Sequence, residues 1–195
     1  MKYLKISLVL CIISVICALA IGGMNELTKD TIAKNDANVE LNACQEIFSD
    51  YDQFESKVLF EATSSDAEIQ KVVLAKNSSG EELGYLYTVY GKNSFGAVKL
   101  LVAIKNNTIY QVEFLENGQS VSNVENHARE NYPMSEKNVV EFNPWGSEET
   151  VKVDPLDEAA LNGVDTKCGG TYGAELVKKL IIAALNDSKE ASKYE

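Results

Sequence analysis

The sequence holds one histidine, His127, and that scarcity excludes more chemistry than any single motif supplies. A Ser–His–Asp or Cys–His nucleophile would have to run through it. It lies in "SVSNVENHARENY", which predicts a short helix with His127 on its surface. No metal-ligand spacing is present, and no GxGxxG follows a strand-like run, so neither a metal site nor a dinucleotide fingerprint is expected. The lone tryptophan, Trp145 in "FNPWG", is expected to anchor a turn. Positive charge is also short, with 18 Lys and Arg against 29 Asp and Glu. The first 24 residues carry Lys2, Lys5 and no acid, so the net −11 of the chain leaves −13 for the remainder. An acidic body argues against nucleic acid as a partner and against lying flat on an anionic bilayer. No internal repeat or low-complexity tract is visible.

Charge is absent altogether from Ile6 to Met24, "ISLVLCIISVICALAIGGM", a run of 19 residues. That is about the span of a bilayer core. The lysines lie only on its N-terminal side, which places the N-terminus in the cytoplasm and the body outside. "ALA" at 18–20 offers a rival reading as a signal-peptide cleavage site. The apolar run continues past it, and "MNELTKDTIAKN" keeps Leu27 and Ile32 roughly in helical phase, so an uncleaved anchor is preferred. Neither Cys11 nor Cys17 follows the small residue expected before a lipidated cysteine, so no lipoprotein is inferred. The run also lacks the acid that a pilin-type structural protein carries there. Cys44 and Cys168 could pair in an oxidising compartment, but two cysteines make no disulfide framework.

Beyond the anchor, 33–48 ("AKNDANVELNACQEIF") predicts a helix joining the membrane segment to the body. Strand-like alternation follows at 57–62 and 68–77, with a turn at "NSSGEE". "LGYLYTVYG" (83–91) sets Tyr85, Tyr87 and Val89 on one face, and "GKNSFG" breaks the pattern. "AVKLLVAI" (97–104), "KNN" and "TIYQVEFL" (108–115) read as a hairpin. "TVKV" (150–153) reads as a further short strand. The expected architecture is α+β, a twisted antiparallel sheet with flanking helices, preceded by one N-terminal transmembrane helix. The expected divisions are an anchor at 1–24, a helical linker at 25–48 and an extracytoplasmic domain at 49–195.

The most pointed local feature is "DTKCGGTYGAELVKKLI" (165–181). Leu176, Val177, Leu180, Ile181, Ala184 and Leu185 recur at helical spacing, and Thr171 stands where an N-cap would stand. The plain reading is a capped amphipathic helix after a glycine turn. The sharper one is an anion site, because free N–H groups and the helix dipole both favour negative charge there, and Lys167 adds a positive one.

Three pieces in order resemble a known family. The anchor ends in N-x-x-T-x-x-x-I, here Asn25, Thr28 and Ile32. A G-Y-x-Y-x-V-x-G strand leads through a glycine-containing turn into a second strand, here Gly84 to Ile104. A D-x-x-S/T-G-A-T motif precedes a helix near the C-terminus. The chain resembles the FMN-binding G-type component of Rnf-type electron-transport complexes and is similar to the C-type component of sodium-translocating NADH:quinone reductases. The resemblance implies FMN held covalently by a phosphoester to Thr171, attached by a flavin transferase. Asp165 and Gly169 match the motif, while Cys168 replaces its serine or threonine and Gly170 its alanine. The family's E-T-P-G-L-G-like loop on the ring side has "ENGQSVSNVEN" in its place, making Gln119 and Ser120 further candidates. No residue is assigned a catalytic role. The implied function is an electron relay among other membrane subunits of an Rnf-type ion-translocating ferredoxin:NAD oxidoreductase. A stand-alone membrane-tethered flavoprotein and a scaffold that has lost flavin are the alternatives.

The charge asymmetry yields a topology prediction. A C-terminal tag on the intact chain should be reached by protease without permeabilising the cytoplasmic membrane. Recovery of a soluble form starting at Ile21 would establish cleavage instead.

Overall fold

The computed structural model describes residues 2–120, 123–134 and 153–194. Trp145, the "FNPWG" turn and all of the expected 150–153 strand except Val153 lie outside them. The chain divides into two compact units, 1–39 and 40–195. In the first, helix α1 (Lys2–Ile47) begins, and Ile6, Leu10, Ile13, Leu19 and Ile21 are all exposed around it. A helix apolar on every side has no solvated face to offer water, and the charge-free stretch is about 28 Å long at 1.5 Å per residue. By length and composition it is long and apolar enough to cross a membrane, which fits an anchor.

The second unit is a five-stranded antiparallel meander in the order β1 (Lys57–Glu61), β2 (Ile69–Lys76), β3 (Glu82–Asn93), β4 (Gly96–Lys105) and β5 (Thr108–Asn117). Each strand pairs with its sequence neighbour, as short connections favour. On one face pack α2 (Asn123–Asn131), α3 (Glu158–Gly163) and α4 (Thr171–Ser188), over a core that includes Tyr87, Leu100, Val102, Leu180, Ile181 and Leu185. On the other face Val73, Leu86, Leu101 and Ala103 meet Ala43, Cys44, Ile47 and Phe48 from the end of α1 and the residue after it. Part of the expected 25–48 linker is therefore body. The fold class is α+β, as the alternation implied.

Two turns explain the central hairpins. Asn106 and Asn107 both take positive φ, at 53° and 59°, the left-handed pair that a two-residue hairpin requires and asparagine tolerates. The β3–β4 turn differs from expectation, because "GKNSFG" does not end the strand. The ladder runs on through Gly91↔Val98 to Asn93↔Gly96. Gly91 breaks the hydrophobic pattern for another reason. A Cβ there would lie 2.9 Å from Leu176 Cδ1 and 3.2 Å from Leu180 Cδ2, so the missing side chain lets α4 lie directly on the strand.

Gly96 is the position least able to change. Its φ is +141°, and a Cβ would fall 1.9 Å from the Gly118 carbonyl oxygen, backbone against backbone. Gly96→Ala should destabilise the body by about 2–4 kcal/mol and lower its melting midpoint by roughly 5–10 °C. Gly80→Ala, with φ +81° but open space around it, should cost only about 1 kcal/mol. Thermal unfolding read in the near-ultraviolet circular dichroism, which follows the body's aromatics, checks both; equal midpoints would refute the account.

Candidate functional site

The site is a short loop held at both ends. Upstream, Asp157 caps α3 by accepting from Ala160 N–H at 2.8 Å. Lys178 of α4 donates to the carbonyls of Asn162 and Val164 at 2.9 and 2.7 Å, tying the exit of α3 to α4. Asp165 then closes an Asx turn, its Oδ1 accepting from Lys167 N–H at 3.0 Å. Its carbonyl accepts from His127 Nε2 at 2.6 Å. That bond corrects the expectation for His127, which is buried rather than on the surface. It sits on the inner side of α2 with Val124 and Ala128, and pins the loop to that helix.

Thr171 is not the N-cap. Gly170 holds that position, with φ −123° and ψ 38° and no side chain to cap with, and Thr171 is the first helical residue. Its hydroxyl points back into the loop, donating to the Cys168 carbonyl at 2.7 Å and accepting from Cys168 N–H at 3.3 Å. Gly170 N–H donates to Cys168 Sγ at 3.4 Å. The Gly170 carbonyl receives Gly173 N–H and Ala174 N–H, so helix geometry leaves the Thr171 and Tyr172 amides without an intrahelical acceptor. An uncapped helix start of this kind favours an anion.

The glycines serve packing as well as turning. A Cβ on Gly169 would sit 2.2 Å from Asn123 Nδ2, and one on Gly173 would sit 2.4 Å from Val124 Cγ2. Hydrogen at Gly173 lets Val124 of α2 close on the start of α4, and hydrogen at Gly169 leaves room for the Asn123 amide as it lies. Gly173 in the first turn gives up about 1 kcal/mol of helix propensity relative to alanine, which the contact offsets.

Against this start stands the tip of the β3–β4 hairpin. Asn93 Nδ2 donates to the Tyr172 carbonyl at 3.1 Å. Gln119 Nε2 donates to Asn93 Oδ1 at 3.2 Å and to the Gly96 carbonyl at 2.7 Å. Ser120 N–H donates to the Phe95 carbonyl at 3.1 Å. Phe95, Gln119, Val124, Gly169, Gly170, Thr171, Tyr172 and Gly173 enclose a cleft of about 70 Å³. Four sequence candidates thus meet in one place: Thr171, Gly169, Gly170 and Gln119. Asp165 and Cys168 shape the loop behind it without lining it, and Ser120 is exposed beside the hairpin tip. Phe95, Asn93, Tyr172 and Gly173 were missed. For Tyr172 and Gly173 the only signal was the glycine spacing "GGTYG"; Phe95 and Asn93 had none, since the contacts that bring them to the helix start lie far off in sequence.

Residues 2–47, the whole of α1, match the family model of the RnfG N-terminal region. The match supports identity as an RnfG-type subunit and agrees with the resemblance read from the motifs. It ends before the segment that carries Thr171. No curated protein matches the chain.

The two body thiols are free and differ sharply in setting. Cys44 is buried on the α1 face, where burial first, and Glu40 second, push its thiol up to about 12 from 9.0. A raised thiol stays protonated when folded, so its contribution to stability is full below about pH 9 and is lost as pH rises toward about 12. Cys168 is half-buried in the loop. Maleimide at pH 8 should label Cys168 in the native protein and Cys44 only after urea, read by peptide mass. Native labelling of Cys44 would contradict its place in the core.

Proposed function

We propose that this RnfG-type chain is a membrane-anchored electron-relay subunit of an Rnf-type ion-translocating complex, carrying FMN as a phosphoester on Thr171. The observation that supports it best is Thr171 itself, which lines an open cleft as the first residue of a helix whose cap position is glycine. A phosphate esterified there would have the free amides of Thr171 and Tyr172 and the positive end of α4 beside it. Lys167, exposed in the same loop, adds positive charge. The residues present therefore fit the group.

FMN, when bound, supplies the redox chemistry, while the protein supplies position and electrostatics. Joining its phosphate to the hydroxyl loses one water overall. The Thr171 proton, now donated to the Cys168 carbonyl, leaves in that step. Cys168 N–H can go on donating to the ester oxygen, as it does to the hydroxyl. Covalent attachment has a physical rationale in the proposed location. A domain outside the cytoplasmic membrane sees little free FMN, and occupancy by a reversible ligand falls with its concentration. The acidic body, −13 beyond residue 24, further disfavours holding a free anion. Other membrane subunits of the complex would be the electron partners, and a flavin transferase the maturation partner. The charge-free anchor with lysines on one side supports a cytoplasmic N-terminus and an outer body.

The test separates attachment from folding. Thr171→Val keeps shape and removes the hydroxyl, losing two hydrogen bonds to the Cys168 backbone at about 1–2 kcal/mol. Co-expressed with a flavin transferase, wild type should carry one FMN less one water, seen by intact mass and by in-gel fluorescence after denaturation. Thr171→Val should fold and stay colourless, and Thr171→Ser should load at least partly. Flavin that survives denaturation in Thr171→Val would sink the assignment.

A further inference from the structure

Two large aromatic side chains stand exposed together on the rim of the Thr171 cleft. Phe95 is 45 % and Tyr172 67 % exposed. Their rings are stacked, with centroids 5.7 Å apart and planes 15° from parallel. Single exposed hydrophobes are ordinary on a protein surface, whereas a contiguous aromatic surface at a cleft asks for an occupant.

We propose that the Phe95–Tyr172 pair is the platform against which the isoalloxazine ring of a Thr171-linked flavin packs. This rests on the FMN reading of Thr171 and adds to it the residues that orient the ring. Three observations select this occupant over a protein or lipid surface. First, Tyr172 is the residue next to the attachment point, so an attached flavin is tethered beside the pair. Second, the cleft is small and open to solvent, with about 70 Å³ of space, so a three-ring system tethered beside it extends over the rim, where these two side chains are. Third, the platform is held in place. Phe95 occupies a two-residue turn closed by Asn93 and Gly96, and that turn is bonded to the Tyr172 carbonyl through Asn93 and to the following loop through Gln119 and Ser120. A surface patch meant only for solvent has no need of such fixing, but a ring-stacking surface does, because offset aromatic stacking depends on a fixed plane.

The chemistry of a phenol beside a flavin supplies the readout. An electron-rich tyrosine in van der Waals contact quenches flavin emission by electron donation to the excited ring, and phenylalanine does so far less. A ring held on a fixed chiral surface also shows visible circular dichroism. The experiment uses the full-length chain, loaded by co-expression with a flavin transferase and purified in detergent. Covalent flavin per chain is measured after denaturation, and emission and visible circular dichroism before it. Wild-type emission should rise several-fold on denaturation. Compared per loaded flavin, Tyr172→Phe should keep the visible bands and recover part of the emission. On the same basis the Phe95→Leu, Tyr172→Leu double variant should emit natively almost as it does denatured and lose most of the visible bands. A loaded double variant indistinguishable from loaded wild type in both signals overturns the platform and leaves Thr171 attachment standing, and unchanged native emission in Tyr172→Phe does the same. A wild type with no flavin after denaturation overturns the attachment itself, and the platform with it.

Discussion

Everything at the candidate site depends on how closely α4 lies on β3 at Gly91. With Leu176 and Leu180 seated where a side chain would otherwise be, the helix axis is brought down onto the strand and the two run alongside each other. From Leu176 back to Tyr172 is four helical residues, about 6 Å at 1.5 Å each. From Gly91 on to Asn93 is two strand residues, about 7 Å at 3.4 Å each. The two paths end together, and there Asn93 meets the Tyr172 carbonyl. The helix start and the hairpin tip thus meet just beyond the close approach that the missing side chain at Gly91 permits.

Packing energy holds that register against its costs. Val177, Leu180, Ile181 and Leu185 are completely or almost completely buried, and each contributes about 1.5–3 kcal/mol of gross stabilisation on burial. That is several times what Gly173 subtracts from helix propensity or what an uncapped first turn forgoes. A helix anchored so firmly along its length can keep an unsatisfied N-terminus. Its first amides remain free for an anion, and the Thr171 hydroxyl is free to bond the loop rather than the helix.

Local pattern made most of the scaffold legible. The five strands followed from period-two alternation, α4 from its period near 3.6, and the anchor from a charge-free run. What escaped was set by contacts distant in sequence. Nothing near Gly91 indicates that Leu176 will cover it, so the glycine read as a break in the strand. His127 read as a surface residue because its partner, the Asp165 carbonyl, is 38 residues away. Thr171 read as an N-cap because the preference of threonine for that position is strong. Thr171 lies one residue inside the helix, its hydroxyl bonded to the Cys168 backbone, and the cap position falls to Gly170. At the site itself, the attachment candidate and its glycines could be named from their motif. Phe95 could not, since the bond that brings its hairpin to α4 joins residues 79 apart.

The opposite face of the sheet limits where the body can begin. Val73, Leu86, Leu101 and Ala103 are covered by Ala43, Cys44, Ile47 and Phe48, and Glu40 reaches Lys71 at 2.9 Å. A body starting at residue 49 would lack every one of these covering residues and present the backs of β2, β3 and β4 to water. Of these strands, β3 and β4 carry α4 on their front faces. Central strands apolar on both sides are stable only when both sides are covered. The last two turns of α1 are therefore as much a part of the scaffold under Thr171 as α4 is, although no residue of them lines the cleft. The same helix whose first part is long and apolar enough to cross a membrane ends as one layer of the domain that follows it.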